Sequence, residues 1–419
     1  MIYLLFMFFV LFVGVYISVW FLLVALSNVD KLHEHMIANY FPTISIIVPA
    51  HNEEKYIKKS LESVANLDYP KEKIEVIVVD NGSTDKTFEE ARRFKKKFHT
   101  KLKKIKLFKL SRPGKSEALN IGIKYASGDI VGILDADTIV RKDCLKKMLP
   151  YFKNKKVGAV TNYIKPINSK GFLPSLQALE YIFSSFSKKL ISILDALYII
   201  PGTLSLIRKD LIKKIGFSND TLTEDMDAAL CILKSGYKIS NCLDAVAYTV
   251  VPTTFHSLLK QRIRWYRGFI QNFVKHSDII FNKEYPHLGY FVLPFSSFLA
   301  IFVGASLTLI LFNNLFHNAI IFINRFFYIP FFDTFVLFTP QLKNFSISKL
   351  FLAPYSTILY SMIFLSSFLA FIIAFRLQKI KLRKKLLLLP FYFFVYYTLI
   401  MIFWVISILT EIFKIKKRW

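Results

Sequence analysis

Cysteine is scarce in this chain of 419 residues, which contains only Cys144, Cys231 and Cys242. No two of them form a C-x-x-C pair, and an odd number cannot make a complete disulfide framework. This usage is typical of a protein in a reducing compartment, where disulfides are rare. It also argues against a metal site built from thiolate ligands.

Acidic residues are also few, since 29 Asp and Glu stand against 56 Lys and Arg and give a formal net charge of +27. Basic chains often bind the phosphates of nucleic acid. The lysine-rich segments 95–97 and 101–106, however, have no aromatic platform or zinc-ligand spacing beside them. Lys and Arg also accumulate on the cytoplasmic side of membrane proteins. We therefore expect membrane lipids, and no nucleic acid, among the partners.

Charge is absent from a long segment at the start of the chain. Residues 2–26 contain no charged side chain, and roughly 25 apolar residues are enough for a helix to cross a bilayer. Because Lys31 follows, the positive-inside rule predicts that the N-terminus is outside and the next domain is cytoplasmic. A cleaved signal peptide is the alternative, suggested by Ala25 and Ser27, but the segment lacks a basic n-region and a short apolar core.

Three segments near the other end are also long and free of charged residues, namely residues 289–312, 351–375 and 386–410. The apolar segment 316–340 contains Arg325 and Asp333, so a re-entrant or interfacial piece is the alternative to a further crossing. We predict a multi-pass protein of the cell membrane with four parts. These are an N-terminal transmembrane helix (1–27), a cytoplasmic globular domain (28–253), an amphipathic interfacial region (254–286) and a C-terminal region of three or four transmembrane helices (287–419).

Strand and helix patterns alternate within the globular domain. Strands are predicted at 44–48, 74–79, 105–110 and 130–134, and helices near 54–65, 86–98 and 115–125. Such alternation predicts an α/β domain with a mostly parallel sheet and helices on both faces.

Polar residues follow three of these predicted strands. The first strand is followed by a segment that ends in Glu53, the second by Asp80, and the fourth by Asp135-Ala-Asp137. Ligands of open α/β sheets bind beyond the carboxyl ends of strands, where Asp80 could accept a hydrogen bond from a base or ribose. The alternative for Asp80 is a simple turn, because the following Asn-Gly-Ser favours one.

Asp135 and Asp137 are separated by one residue, so both carboxylates could share a hard divalent cation with a diphosphate. Mg²⁺ and Mn²⁺ commonly use one or two carboxylates and complete their coordination with phosphate and water oxygens. An Asp-x-Asp sequence also arises by chance. The position of Asp135-Ala-Asp137 at the end of an apolar strand favours the metal interpretation, because two other predicted strands also end in polar residues.

Two further motifs lie closer to the C-terminus. Thr223-Glu224-Asp225 precedes a helical pattern at 226–234, so it could serve only as an acidic helix cap. Gln261-Arg-Ile-Arg-Trp265 lies in an amphipathic stretch at 254–273, which alone would indicate a basic helix on anionic headgroups. A membrane-bound helix and an active-site motif are compatible interpretations here, since a helix that lies on the membrane could still present Gln261, Arg264 and Trp265 to an active site.

Taken in order, these segments resemble the family 2 glycosyltransferases and, within them, the membrane-bound polysaccharide synthases that make poly-N-acetylglucosamine, chitin oligosaccharides or hyaluronan. The segments 114–120 and 202–208 also resemble the family. The resemblance implies a GT-A fold, a UDP-sugar donor and Mg²⁺ or Mn²⁺. It implies roles for the following residues: Asp225 as general base; Glu53, Asp80, Lys115 and Asp135 for the nucleotide sugar; Asp135 and Asp137 for the metal; and Glu224, Gln261, Arg262, Arg264 and Trp265 on the acceptor and diphosphate side.

The function that this resemblance implies is inverting transfer from UDP-N-acetylglucosamine or UDP-glucose to the growing end of a β-linked polysaccharide, coupled to its passage through the membrane. The chain lacks the Phe-x-Val-Thr segment that bacterial cellulose synthases carry after the position of Trp265, which disfavours cellulose. One alternative is a transferase that adds a single sugar to a polyprenyl phosphate or lipid. Another is an inactive membrane scaffold, against which the full set of carboxylates argues.

Overall fold

The computed structural model describes residues 15–16, 19–32, 40–102, 104–294, 365, 368–376, 378 and 387–414. The described strands are β1 (Ile44–Ala50), β2 (Ile74–Asn81), β3 (Lys104–Leu110), β4 (Ile130–Leu134), β5 (Ile139–Val140), β6 (Val157–Pro166), β7 (Thr203–Arg208) and β8 (Lys238–Thr249). The described α-helices include α1 (Val29–Leu32), α2 (Ile57–Ala65), α3 (Thr87–Phe98), α4 (Lys115–Tyr125), α5 (Cys144–Met148), α6 (Phe172–Ile193), α7 (Lys209–Ile215), α8 (Glu224–Lys234), α9 (Phe255–Lys275), α10 (Leu389–Phe391) and α11 (Tyr397–Ile412).

The strands form one sheet in the order β3-β2-β1-β4-β7-β6-β8-β5. The pairs among β1 to β4 are parallel, whereas β7 is antiparallel to both of its neighbours and β5 is antiparallel to β8. β6 pairs with β8 in parallel, so four of the seven described strand pairs are parallel; the sheet is mixed, and the predicted parallel arrangement holds without exception only among β1 to β4. The reason is that the predicted alternation covered only the first four strands. After β6 the chain passes through the long helix α6 and returns as β7 in the opposite direction.

Both faces of the sheet are buried, which explains the nearly continuous apolar sequence of its central strands. Along β1, Ile46 and Val48 belong to one core cluster and Ile47 to the other, as the two-residue period of a strand requires. Leu61 of α2 packs in the first cluster and Leu119 of α4 in the second. This two-sided core fixes the strands rigidly and so fixes the positions of the groups at their carboxyl ends.

The amphipathic segment predicted at 254–273 is helix α9. Its N-terminus has a capping box, in which the side chains of Thr254 and Ser257 bond to each other's backbone N–H groups. A third apolar cluster joins α6 and α9 to helical residues near both ends of the chain, including Ala25, Phe371 and Phe403. The two long helices therefore lie between the sheet domain and the terminal segments.

Most of the predicted membrane spans lie outside the described residues. This holds for all of 316–340 and for most of 289–312, 351–375 and 2–26. Within the predicted span 386–410 the described chain is helical from Leu389 onward, with a π-helical turn at Tyr392–Tyr396 between α10 and α11. In the part of the chain that the structure describes, no helix has both the length and the apolar character needed to cross a membrane.

Candidate active site

The carboxyl ends of three parallel strands meet at one edge of the sheet. Ala50 at the end of β1 is in register with Asp80 in β2, and β4 ends at Leu134, immediately before Asp135. The ring of His51 lies next to this edge, with Nδ1 2.8 Å from the carbonyl oxygen of Asn81. The strand-end residues singled out in the sequence therefore lie at one edge of the fold.

Asp80 is buried, and neither carboxylate oxygen has a hydrogen-bond partner among the described residues. A buried carboxylate without donors is costly, and such groups in native proteins usually bind something. The N–H groups of a nucleotide base or the hydroxyls of a ribose would satisfy these oxygens. This favours a ligand-binding role for Asp80 over a simple turn.

Glu53, Asp135 and Asp137 concentrate negative charge at the same edge. Burial, together with repulsion from Asp137 and Asp135, raises the pKa of Glu53 to about 7. Burial and repulsion from Asp135 raise the pKa of Asp137 to about 6. Oxygen-only ligands of this kind suit Mg²⁺ or Mn²⁺. A divalent cation would neutralise the repulsion, so the residues present fit the predicted metal.

Another group with potential metal ligands is formed by Asp227, Cys231 and His276, whose ligand atoms lie within 4.8 Å of one another. The carboxylate of Asp227 already binds two groups, since its Oδ1 lies 2.7 Å from Nε2 of His276 and 3.0 Å from Nζ of Lys275. Because burial also raises the pKa of the Cys231 thiol, and metals bind the thiolate form, we interpret this group as an ion-pair cluster that joins α8 to the end of α9.

Lys115 joins the two carboxylate motifs. Its Nζ atom lies 3.0 Å from Oδ1 of Asp135 and 3.1 Å from Oε1 of Glu224. Burial by itself would lower the pKa of Lys115, but the attraction of Asp135 and Glu224 outweighs it and raises the pKa. The side chain therefore keeps its positive charge between the end of β4 and the start of α8.

Asp225 is the second residue of α8. Its pKa is raised to about 6, chiefly by burial and by repulsion from Glu224, while Lys115 and Arg264 oppose the rise. The side chain of Thr223, at the N-cap position, makes no capping bond, whereas Oδ1 of Asp225 accepts from the backbone N–H of Met226 at 2.9 Å. A carboxylate with a pKa near 6 is ionised at neutral pH and basic enough to accept a proton, as general bases require.

Only some of the predicted residues of helix α9 are directed towards the site. The exposed Arg264 interacts electrostatically with Lys115 and Asp225, and its role on the diphosphate side stays a prediction. Oε1 of Gln261 is buried without a partner among the described residues. Gln261 and Arg264 are thus available to a ligand.

Arg262, which the resemblance assigned to the acceptor and diphosphate side, is directed elsewhere. It is buried, and its NH2 atom lies 2.7 Å from Oε2 of Glu180 in α6. Tyr396 donates to the same carboxylate oxygen at 2.7 Å, and the guanidinium lies 4.3 Å from the ring centroid of Trp265. The contacts of Arg262 therefore join α9 to α6 and to the C-terminal helical segment. The guanidinium also covers one face of the Trp265 ring.

Lys188 in α6 is a further ionisable residue near the site, and the sequence reasoning missed it. Burial lowers its pKa to about 8, against the attraction of Asp225 and Glu180. The signal was a pair of lysines, Lys188 and Lys189, within an otherwise largely apolar helical pattern. That signal gave no indication that Lys188 would lie near Asp225.

Comparison with known proteins agrees with this geometry. The sequence profile of Glycosyl transferase family 2 matches residues 45–216. The chain is 34% identical over 228 residues to a poly-beta-1,6-N-acetyl-D-glucosamine synthase of Staphylococcus epidermidis; this match covers 54% of each protein, so the chain spans about half the length of that relative. It is 32% identical over 299 residues to YdaM of Bacillus subtilis, described as a probable glycosyltransferase, covering 66% of this chain and 69% of YdaM.

Among solved structures, the fold resembles that of a mannosyltransferase, PcManGT from Pyrobaculum calidifontis, determined with GDP-Man and Mn²⁺. The TM-score is 0.55 and the sequence identity 23%, and the alignment covers 87% of this chain and 97% of the mannosyltransferase. At this identity the likeness shows the fold alone. With the profile match and the similarity to YdaM, it shows that this chain is a glycosyltransferase of family 2 with a GT-A-like catalytic domain.

Proposed function

We propose that this chain transfers sugar from UDP-N-acetylglucosamine or UDP-glucose to the growing end of a β-linked polysaccharide, with inversion at the anomeric carbon. The observation that carries the proposal is the position of Lys115 between Asp135 and Glu224. This bridge joins Asp135, a residue suited to a nucleotide diphosphate, to Glu224, the neighbour of Asp225, and so supports the proposal. The name of the staphylococcal relative supports N-acetylglucosamine as the sugar and a β-linked polymer as the product.

The donor would bind along the edge of the sheet. Asp80 offers two buried acceptor oxygens to the uracil or ribose, while Glu53 lies within electrostatic range of Asp135 and Asp137. Asp135 and Asp137 would hold Mg²⁺ or Mn²⁺, whose positive charge stabilises the departing diphosphate. Lys115 and Arg264 add cations beside the same group, and the guanidinium of Arg264 can make charge-assisted contacts with phosphate.

Asp225 would act as the general base. Its ionised carboxylate takes the proton from the acceptor hydroxyl while that oxygen forms a bond to the anomeric carbon. The bond from that carbon to the diphosphate oxygen breaks in the same displacement, and the electron pair leaves with UDP. A single displacement inverts the configuration, so an α-linked donor gives a β-linkage. Trp265 would stack against the acceptor sugar, as aromatic rings do with flat ligand faces.

We place the catalytic domain at the cytoplasmic face of a membrane, with the polymer passing through the terminal helical segments. Support comes from the uncharged segments at both ends of the sequence and from the excess of Lys and Arg. The exposed side chains of Leu23, Leu26, Leu409 and Ile412 on the terminal helices are also apolar, as lipid-facing residues are. A glycan or lipid-linked acceptor would then reach Asp225 from the side of α6 and α9.

The decisive experiment uses the purified full-length chain with separate UDP-sugars and Mn²⁺, followed by sizing of the product. We expect one UDP-sugar to be consumed with formation of a polymer. A product with one added sugar on a polyprenyl phosphate or lipid would replace the polymerase with a single-addition transferase. No transfer from any UDP-sugar, under conditions in which the protein is folded, would contradict the proposal.

A further inference from the structure

The loop that precedes Asp225 is held by helix α9. The backbone N–H of Leu222 donates to Oε1 of Gln271 at 2.9 Å. The buried Nδ2 of Asn272 lies 3.1 Å from the carbonyl oxygen of Thr223 and 2.9 Å from its Oγ1. Because Asp225 lies in the first turn of α8, the position of its carboxylate depends on how this loop is anchored.

The contact between the loop and α9 is very close. A Cβ atom on Gly268 would lie 2.5 Å from Oγ1 of Thr223, so only glycine lets the helix approach this side chain without a shift. Gln271 and Asn272 lie about one turn further along the same helix. The backbone leading to Asp225 is thus packed directly on α9.

Glu411, near the end of α11, binds the same part of α9 through both carboxylate oxygens. Oε1 accepts from Nε2 of Gln271 at 2.9 Å, and Oε2 accepts from Nε of Arg267 at 2.8 Å. The bond to Glu411 also fixes which end of the Gln271 amide faces the loop. With its nitrogen directed at a carboxylate, the amide must present its oxygen to the N–H of Leu222.

We propose that Glu411 is a positioning residue for sugar transfer, which holds the Gln271 amide in the orientation that anchors Leu222 and so fixes the loop before Asp225. The inference rests on the proposed function, in which Asp225 is the base. It makes the last described helix part of the catalytic arrangement, although α11 supplies no group to the reacting atoms. A shift of about 1 Å in a reacting group can lower a rate by roughly 10²-fold, so a loosened loop has a measurable effect.

Packing between α9 and α11 does not depend on Glu411 alone. The rings of Tyr266 and Trp404 are stacked with centroids 4.2 Å apart, and Phe255 and Phe403 are 5.5 Å apart. Removing the Glu411 carboxylate should therefore leave the two helices together. It should free the Gln271 amide to rotate, which separates a positioning effect from loss of the fold.

The test compares Glu411→Ala and Glu411→Gln with a matched control, Thr410→Ala, in the full-length protein. Thr410 is the neighbouring residue, and its side chain bonds only within its own helix, to the carbonyl oxygen of Ile406, among the contacts described. For Glu411→Ala we expect kcat to fall roughly 10-fold while KM for the UDP-sugar stays unchanged. Glu411→Gln should recover part of kcat, because its amide oxygen can still accept from Gln271. Thr410→Ala should match the unmodified protein.

A second variant, Gln271→Met, removes both amide contacts while keeping the size of the side chain. We expect the same loss of kcat, and no further loss when Gln271→Met is combined with Glu411→Ala. If Glu411→Ala fails to fold, the kcat of Gln271→Met decides the question. An unchanged kcat in these variants, additive losses, or a change confined to KM would overturn the inference while the unmodified protein still transfers sugar. An unmodified protein without transfer would instead overturn the proposed function.

Discussion

Gly202 lies directly against the carboxylate of Asp135. The backbone N–H of Asp135 donates to the carbonyl oxygen of Gly202 at 2.6 Å, and a Cβ atom on Gly202 would lie 2.3 Å from Oδ2 of Asp135. The end of β4 and the start of β7 thus leave no space for a side chain at this position. Asp135 is held between this backbone and the ammonium group of Lys115.

Gly202→Ala should therefore displace the Asp135 carboxylate and lower transfer by about 10²-fold, because the site depends on its position. Gly132→Ala is the matched control, since a Cβ there lies 3.2 Å or more from neighbouring side chains of the core and does not touch Asp135. We expect the control to keep transfer at a modest cost in thermal stability. Equal transfer rates in the two variants would show that the carboxylate tolerates the shift.

Asp225→Asn should remove the proton acceptor while preserving the shape of the side chain. Binding of UDP-sugar should persist and transfer should fall by roughly 10²-fold or more. Equilibrium binding and initial rates, measured on the same preparation, check both expectations. Near-normal transfer by Asp225→Asn would exclude this residue as the base.

The raised pKa of Asp225 also predicts a pH profile. Because its pKa is about 6, above the usual value for Asp, the carboxylate becomes protonated and inactive as the pH falls through 6. Saturating Mn²⁺ should counter the repulsion that raises the pKa values of Glu53 and Asp137. Under that condition kcat/KM should be level near pH 7 to 8 and should fall about tenfold per pH unit below 6. A profile that stays level down to pH 5 would contradict the assignment.

Removal of metal tests the interpretation of Asp135 and Asp137. Transfer should cease in EDTA and return when Mg²⁺ or Mn²⁺ is added, because the departing diphosphate needs charge neutralisation. Asp137→Asn should weaken the binding of Mn²⁺ itself, measured by titration calorimetry. Asp143→Asn, which alters a carboxylate paired with Arg141 and Lys147, should not. Full turnover in chelator would contradict a metal role.

Trp265→Ala should weaken acceptor binding by about 1–3 kcal/mol if the indole stacks on the acceptor sugar. Transfer to glycan and product length should then fall more than hydrolysis of the UDP-sugar to water, because the donor site is left intact. Measuring both products in one reaction makes the comparison internal. A parallel loss of transfer and hydrolysis would place Trp265 on the donor side instead.

Much of the sheet domain could be predicted from local patterns in the sequence. The predicted strand at 130–134 and the predicted helix at 115–125 match β4 and α4 to the residue. The other three predicted strands and two predicted helices are also found, with their ends shifted by up to three residues. Apolar periodicity and turn residues encode these elements within a few positions. The placement of Asp80 and Asp135 at strand ends follows directly from the same patterns.

Other features depend on the tertiary structure. The reversed direction of β7, the bridge from Lys115 to Glu224, the pairing of Arg262 with Glu180 and the contact of Glu411 with Gln271 all join residues far apart in the chain. No local pattern specifies them, because they depend on sheet order and on which face each helix packs. The sequence by itself determined which residues could perform sugar transfer. Packing of α6, α9 and α11 decided which of them face the site, since a step of only two residues along α9 separates the exposed Arg264 from Arg262, which is buried against neighbouring helices.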